Sequence, residues 1–297
     1  MPRQQIDSRT NETARKLVPS RSEGTARLRQ IIAEMGSVAV AFSGGVDSTC
    51  LLAECLDVLG PENVLAVTAD AEIHPRAEIT AARELAHHLG VRHRIIRLHP
   101  LDNPRFAANP PDRCYWCKRD VLTAVAAIAQ EEGLAHVVHG ANADDAGEYR
   151  PGNRAAQEMG VCAPLLEAGL TKAEIRQLSR EKGLPTWNRP AQACLATRFP
   201  YGELLTPERL KRVEEAEEFL RSLGLGQLRV RDHGLLARIE VGREDMSRLV
   251  GEMAPKLVDK LKALGYTYVT LDLEGYRSGS MDVFNPVLSR SEGKERE

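Results

Sequence analysis

No apolar run in the 297 residues approaches the length needed to span a bilayer. The first residues, Met1-Pro2-Arg3-Gln4-Gln5-Ile6-Asp7-Ser8, lack the apolar core of a secretory signal, and none is expected. A charge imbalance is missing too. Forty basic side chains stand against 42 acidic ones, a net of −2, so no global field draws the chain to nucleic acid. Six cysteines are too few for a disulfide scaffold at this length. With no signal segment they point to a reducing cytoplasm and to thiols kept for chemistry or metal. No fixed-period repeat is present, and no Gly-x-x-x-x-Gly-Lys-Ser/Thr phosphate loop. What remains is a 42% hydrophobic fraction, enough for a core, and 28% charge, enough for a solvated surface. The length admits two domains or one large one.

The most informative stretch is Val38-Ala39-Val40-Ala41-Phe42-Ser43-Gly44-Gly45-Val46-Asp47-Ser48. Its apolar start reads as a buried strand, and Thr49-Cys50-Leu51-Leu52-Ala53-Glu54 starts a helical run. A strand that turns on glycines into a helix N-terminus points backbone N–H groups and the helix dipole at one spot, which suits an anion. Gly44 and Gly45 let the backbone approach closely, and Ser43 and Ser48 add hydroxyls. A Gly-Gly pair alone is equally compatible with an empty turn; the whole string after a buried strand favours phosphate. The hexapeptide resembles the PP-loop of ATP pyrophosphatases, which grip the pyrophosphate end of ATP and transfer AMP to a substrate oxygen.

Residues 1–24 are polar and without period, and are expected to form a flexible arm. Helices over 25–35, 76–89 and 112–129 alternate with strands near 38–42, 64–69, 93–98 and 136–140. This alternation predicts α/β architecture with a parallel sheet covered on both faces. Right-handed crossovers make that sheet doubly wound, with the glycine turn at its carboxyl edge. Thr171-Lys172-Ala173-Glu174 reads as a capping box opening a helix to Lys182. Lys172 is either an exposed first-turn lysine or one that reaches a phosphate. From about residue 200 the pattern changes to a helix over 207–223, two alternating strands, Leu228–Arg231 and Ala237–Val241, a single helix over 245–264 and a strand over 266–272. The strand pair reads as antiparallel. We expect a sheet domain over 25–199, a smaller α+β domain over 200–285 for substrate and oligomer contacts, and a charged tail over 286–297.

Several side chains are candidates for chemistry. Asn142, Asp144, Asp145, Glu148 and Arg150 crowd the segment after the fourth strand. With Asp47, Asp144 and Asp145 are candidate Mg²⁺ ligands beside a triphosphate, since magnesium takes a few carboxylates plus phosphate oxygens; a solvated acidic loop is the alternative. Cys114-Tyr115-Trp116-Cys117 places two thiols at a spacing that can chelate a metal or cluster or form a redox pair. Closed zinc lacks a second tight pair of ligands. Cys50, Cys55 and Cys162 are expected to pack as small apolar residues. Cys194 differs: it lies in a long loop flanked by Arg189 and Arg198, and nearby cations favour thiolate. Arg229 and Arg231 share one strand face, where two guanidiniums can grip a phosphate or simply line a solvated face.

Ser43-Gly-Gly-Val-Asp-Ser48, Tyr149-Arg150-Pro151-Gly152, Ala193-Cys194-Leu195-x-x-Arg198-Phe-Pro-Tyr-Gly, and Arg229-Val-Arg231 with Ala237-Arg238-Ile239-Glu240 occur here in the order seen in the LarE family. The chain resembles that family from about residue 25 to 285. LarE proteins are ATP-dependent sulfur transferases that make the nickel-pincer nucleotide cofactor of lactate racemase. The resemblance implies that ATP adenylylates a carboxylate of a pyridinium-3,5-dicarboxylate mononucleotide, releasing pyrophosphate, after which sulfur displaces AMP to leave a thiocarboxylate. It implies substrate contacts at Arg198, Arg229, Arg231 and Glu240, and a hexamer. Some members surrender the sulfur of the residue matching Cys194. Members with the Cys-x-x-Cys hold a [4Fe–4S] cluster on three cysteines, here Cys114, Cys117 and Cys194, with ATP and Mg²⁺ as further requirements and sulfide or another sulfur donor as partner. Rival readings are tRNA thiolation, ammonia ligation of the NAD or GMP synthetase kind, and a nucleotide-binding regulatory module without turnover.

Overall fold

The computed structural model describes residues 21–147, 150–190, 193–277 and 279–281. Of the arm expected over 1–24, residues 1–20 lie outside them, as do Glu148, Tyr149 and the charged tail, whereas 21–24 are not an arm but the first turn of a helix. In chain order the larger part runs α1 (Arg21–Met35), β1 (Val38–Ala41), α2 (Val46–Leu59), β2 (Val64–Asp70), α3 (Arg76–His88), β3 (Arg92–Arg97), α4 (Pro104–Ala107), α5 (Arg113–Glu131), β4 (His136–His139), α6 (Pro151–Glu158), α7 (Pro164–Glu167) and α8 (Lys172–Glu181). The smaller part runs α9 (Pro207–Ser222), β5 (Leu228–His233), β6 (Leu236–Val241), α10 (Met246–Val250), α11 (Ala254–Ala263) and β7 (Tyr268–Leu271).

The first four strands form one parallel sheet in the order β3-β2-β1-β4. Strand periodicity divides its side chains between two cores. Val38, Val40, Val64 and Ala66 face a cluster with α1, α2, α3 and α8, whereas Ala39, Leu65 and Val67 face Val125, Ile128 and Ala129 of α5. Helices therefore cover both faces, which is the expected doubly wound α/β arrangement. The second sheet has the order β5-β6-β7; β5 and β6 are antiparallel and β7 joins β6 in parallel. Its apolar face packs on α9, α10 and α11. A third cluster joins the two parts: Ala71, Ile73 and Phe106 pack with Leu195, Ala196, Phe199, Leu210 and Val213.

The helix expected over 245–264 is two helices. Gly251 takes φ −88° and ψ −112°, a conformation outside the helix, and Pro255 sits in the first turn of α11, where its missing N–H costs nothing. Helix α6, which begins on Pro151, was hidden by the Pro-Gly pair that reads as a turn. Among the described residues no helix is long and apolar enough to cross a membrane.

Candidate active site

From β1 the chain passes to β2 on one side, while β4 lies on the other side of β1, so the crevice at their carboxyl ends is a topological switch point, the place where open α/β sheets bind ligands. The glycine loop fills that crevice. Gly44 has φ +71°, and a Cβ there would lie 3.2 Å from both Cα and Cβ of Ala82 on α3. Gly140, at the end of β4, approaches so closely that a Cβ would sit 2.9 Å from Ser48 N. Ser48 Oγ accepts from Ser43 N at 3.3 Å, lies 3.1 Å from Ser43 Oγ and donates to Gly45 O at 3.3 Å. Gly45 caps α2 with no side-chain bond, so the first turn keeps donors for an anion.

Lys172, the first residue of α8 after its Thr171–Glu174 capping box, turns inward and donates to Asp47 Oδ2 at 2.5 Å. Asp47 Oδ1 is buried without a partner. The other two carboxylates expected at magnesium are engaged elsewhere. Asp144 Oδ2 accepts from Lys172 N at 2.9 Å; Asp145 Oδ2 accepts from Asn142 N at 3.0 Å, and its Oδ1 faces Arg150 at 3.3 Å. These bonds shape the loop that presents α8, while Asp47 has a buried oxygen without a partner. Arg189, expected beside Cys194, instead donates to Gly44 O at 3.1 Å and pairs with Glu78 at 3.1 Å.

The three cysteines named from the sequence converge. Cys114 and Cys117 lie one turn apart at the start of α5, on neighbouring positions of one helix face. Cys194 precedes a single 3₁₀ turn, Leu195–Arg198, whose first N–H bonds to Ile73 O at 2.8 Å. Cys117 and Cys194 pack against the same apolar cluster as Trp116. The following segment is clamped to the approach to α5: Asn109 Nδ2 donates to Pro200 O at 2.8 Å, and Gly202 N donates to Asn109 O at 2.9 Å. Burial pushes the Cys117 thiol up, and Cys194 and then Cys114 add to the rise. Among the described residues no three His, Cys, Asp or Glu side chains are close enough to grip one metal ion. Three thiols are nevertheless a donor set of the kind that iron–sulfur clusters take from a protein. Cys50 and Cys55 lie inside the main core, and burial pushes the Cys50 thiol up to about 12; Cys162 is half-buried against that core.

Arg198, expected to meet substrate, is fully buried and spends its donors internally. Nε and Nη2 bond Glu217 at 2.9 and 3.0 Å, while Nη1 reaches Ala193 O at 2.7 Å, Cys194 O at 3.0 Å and Thr197 Oγ1 at 3.0 Å. It holds the cysteine loop in shape. Glu240 is likewise taken up, accepting from Arg231 Nη2 at 2.7 Å, Arg238 Nη2 at 3.0 Å and Ser280 Oγ at 2.7 Å. Arg231 also donates to Thr197 O at 3.1 Å, which ties β5 to the cysteine loop. Arg229 and Arg231 are only 8% and 5% exposed, so theirs is not a solvated face. Arg229 stacks on Tyr276 and donates to Leu228 O. Burial, then the charge of Arg198, pulls its guanidinium down from the ordinary value. The face therefore carries positive charge that an anion would relieve.

Two further groups were not singled out from the sequence. Arg113 begins α5, lies beside Cys114 and Cys194, and stacks on the Tyr201 ring at 4.6 Å. Lys118, the residue after Cys117, is pulled down by burial, while burial and then Lys118 hold His139 at about 3 and so neutral. Their signal was position alone: each flanks the Cys-x-x-Cys directly.

A glycine loop at the switch point of a parallel sheet, with an inward lysine at a helix start, defines a PP-loop enzyme, a class that uses ATP. The family model described as NAD synthase matches residues 22–109. A pyridinium-3,5-bisthiocarboxylic acid mononucleotide synthase of Lactiplantibacillus plantarum is 39% identical over 267 residues, 90% of this chain and 95% of its own. An uncharacterized protein of Synechocystis is 43% identical over 264 residues, 89% of this chain and 97% of its own. An argininosuccinate synthase of Halobacterium salinarum is 32% identical over 160 residues, half of this chain and 40% of its own. This chain belongs to the LarE family.

Proposed function

We propose that the protein activates a carboxylate of a pyridinium-3,5-dicarboxylate mononucleotide with ATP and replaces one of its oxygens by sulfur, as a step toward a nickel-pincer nucleotide. The observation that carries this reading is the double attachment of the cysteine loop. Residues 193–197 are tied to the arginine strand directly through Arg231 and, by way of Arg198, through Glu217, which also accepts from Val230 N; the same loop packs Cys194 against the apolar cluster that Cys117 joins. A sulfur site and an anion grip are thereby fixed to one another.

The glycine loop and the first turn of α2 bind the pyrophosphate end of ATP, Lys172 neutralises it, and the open oxygen of Asp47 is positioned for Mg²⁺. A substrate carboxylate oxygen attacks the α-phosphorus and pyrophosphate leaves, giving a mixed anhydride with AMP. Arg229 holds the mononucleotide phosphate, and Arg231, fixed by Glu240 and Thr197, lies on the same strand face. An anionic sulfur then attacks the acyl carbon and AMP departs with the original oxygen, leaving a thiocarboxylate. This order is chemically required, since a carboxylate is a poor acceptor and AMP a good leaving group, while sulfur anions are strong nucleophiles at neutral pH. Cys114, Cys117 and Cys194 are the residues that would hold a [4Fe–4S] cluster. With three thiolates such a cluster keeps one iron without a protein ligand, open to an extra sulfide. Ile73, Phe106 and Phe199 form an apolar floor against which Cys117 and Cys194 pack, while Cys114 is exposed. The division near residue 200, the cytoplasmic location and the hexamer belong to the same proposal.

Protein purified without oxygen should contain about four irons per chain, lose them on Cys→Ser substitution at 114, 117 or 194, and turn over repeatedly with sulfide. Intact mass after turnover gives the contrary result: an iron-free, fully active chain that loses one sulfur from Cys194 per cycle would replace the cluster with sacrifice of that residue.

A further inference from the structure

Among the described residues four arginines are buried, Arg113, Arg198, Arg229 and Arg231. Two are balanced by buried carboxylates, Arg198 by Glu217 and Arg231 by Glu240. Among the described residues no carboxylate lies within ion-pair distance of the other two. A buried charge without a partner is costly, and proteins keep one where a ligand completes it. For Arg229 that ligand is the anion of the strand face. Arg113 sits elsewhere, with different neighbours.

Arg113 is 5% exposed, and its Nε and Nη1 are buried with no hydrogen-bond acceptor. Its ring contact is Tyr201, brought in by the clamp between 106–109 and 199–205. Its neighbours are the thiols of Cys194 and Cys114 and the ring of Tyr201. It also stands at the first turn of α5, which Asp112 leaves without a side-chain cap, so the positive end of the helix dipole adds to the same field.

We propose that Arg113 is the charge-balancing and positioning residue of the three-cysteine site, its two open N–H groups donating to anionic sulfur held between Cys114, Cys117 and Cys194. The proposal rests on the reading that these thiols hold an iron–sulfur cluster with an added hydrosulfide. Four anionic sulfur ligands give such an assembly net negative charge, and the apolar floor beneath it supplies none in return. Arg198 cannot serve, because its donors are already spent. Charge and hydrogen bonds to sulfur are among the factors that set a cluster's reduction potential, so the role has a signature separate from activity.

The test compares anaerobically reconstituted wild type, Arg113→Gln and Arg113→Lys by iron and sulfide content and by EPR-monitored reductive titration in the presence of sodium sulfide. Removing the charge should disfavour cluster reduction at least tenfold in Arg113→Gln, about 59 mV for a one-electron couple. Arg113→Lys, which keeps the charge, should stay within threefold of wild type. Equal potentials in wild type and Arg113→Gln would overturn the assignment while leaving the cluster reading standing. A tenfold loss shared by the lysine variant would show that shape, not charge, matters, and would also overturn it. Wild type that takes up no iron removes both readings together. Should Arg113→Gln fail to take up iron, a lysine variant that loads and keeps its potential supports the assignment, and one that loads with a tenfold loss overturns it.

Discussion

Glu217→Gln is the substitution that best tests how the cysteine loop is held. Glu217 is fully buried and accepts from Arg198 Nε at 2.9 Å, Arg198 Nη2 at 3.0 Å, Arg221 Nη2 at 2.7 Å and Val230 N at 3.1 Å. Glutamine keeps the volume and one acceptor but removes the charge and turns an amide N–H₂ toward guanidinium donors. Arg198, itself fully buried, is left as an uncompensated cation, a change that costs about 3–5 kcal/mol against a total stability of about 5–15 kcal/mol. The loss should depend on pH. Burial pushes the Glu217 carboxyl up, but Arg198 and then Arg221 and Arg229 more than offset this and hold it below the ordinary carboxyl value. A depressed folded-state value means that the stabilisation is complete above the unfolded-state value and disappears as pH falls through the folded one. Urea denaturation should therefore show the widest gap between wild type and variant near pH 7 and a closing gap in acid. A gap under about 1 kcal/mol at neutral pH, of the size expected for an exposed pair, or one that does not change with pH, would refute the argument. The double variant Arg198→Met/Glu217→Met should recover much of the stability but not the activity, because the carbonyls of Ala193 and Cys194 lose their shared donor.

Lys172→Ala should lower mononucleotide-dependent pyrophosphate release by roughly 10²-fold, the usual effect of removing one preorganised donor. Stability should change little, since the Lys172–Asp47 pair is partly exposed; unchanged turnover would contradict the phosphate role. Gly140→Ala places a methyl group 2.9 Å from Ser48 N, so about 1–3 kcal/mol of stability should be lost, with a raised KM for ATP. Burial and Lys118 hold His139 near 3, which means the unfolded chain binds the extra proton first. Stability should then decline as pH falls from about 6.5 toward 3, and His139→Gln should flatten that part of the acid denaturation curve.

The parallel sheet was legible because its strands obey a simple rule: Val38 and Val40 face one core while Ala39 faces the other, and each run ends at a turn signal. The break in the helix over 245–264 was not. Lysine, leucine and aspartate keep helical spacing across it, and only the backbone of Gly251 and the ring of Pro255 reveal that the chain restarts. Lys172 shows the same limit at the site. A capping box sets where α8 begins, but which way the first-turn lysine points depends on Asp47, which comes from another element.

Cys114, Cys117 and Cys194 could be chosen from spacing and loop context, yet the groups that make them a site could not. Arg189 and Arg198 flank Cys194 in the chain and neither serves as an open cation beside it: one holds Gly44 and the other is balanced by Glu217. Among the described residues Arg113, carried by a different helix, is a guanidinium beside Cys194 that has no carboxylate partner. A similar exchange occurs on the arginine strand, where Glu240 orients Arg231 and Arg238, and Arg231 in turn holds Thr197 O. Both Arg198 and Arg231 thus end on the backbone of residues 193–197. A phosphate drawn to Arg229 would sit next to the arginines that keep Cys194 in place, so the grip on the mononucleotide and the aim of the sulfur are set by one hydrogen-bonded unit. Adenylylation needs the mononucleotide but not the sulfur, so Cys194→Ser should abolish sulfur transfer and spare mononucleotide-dependent pyrophosphate release, whereas Arg229→Ala should weaken both.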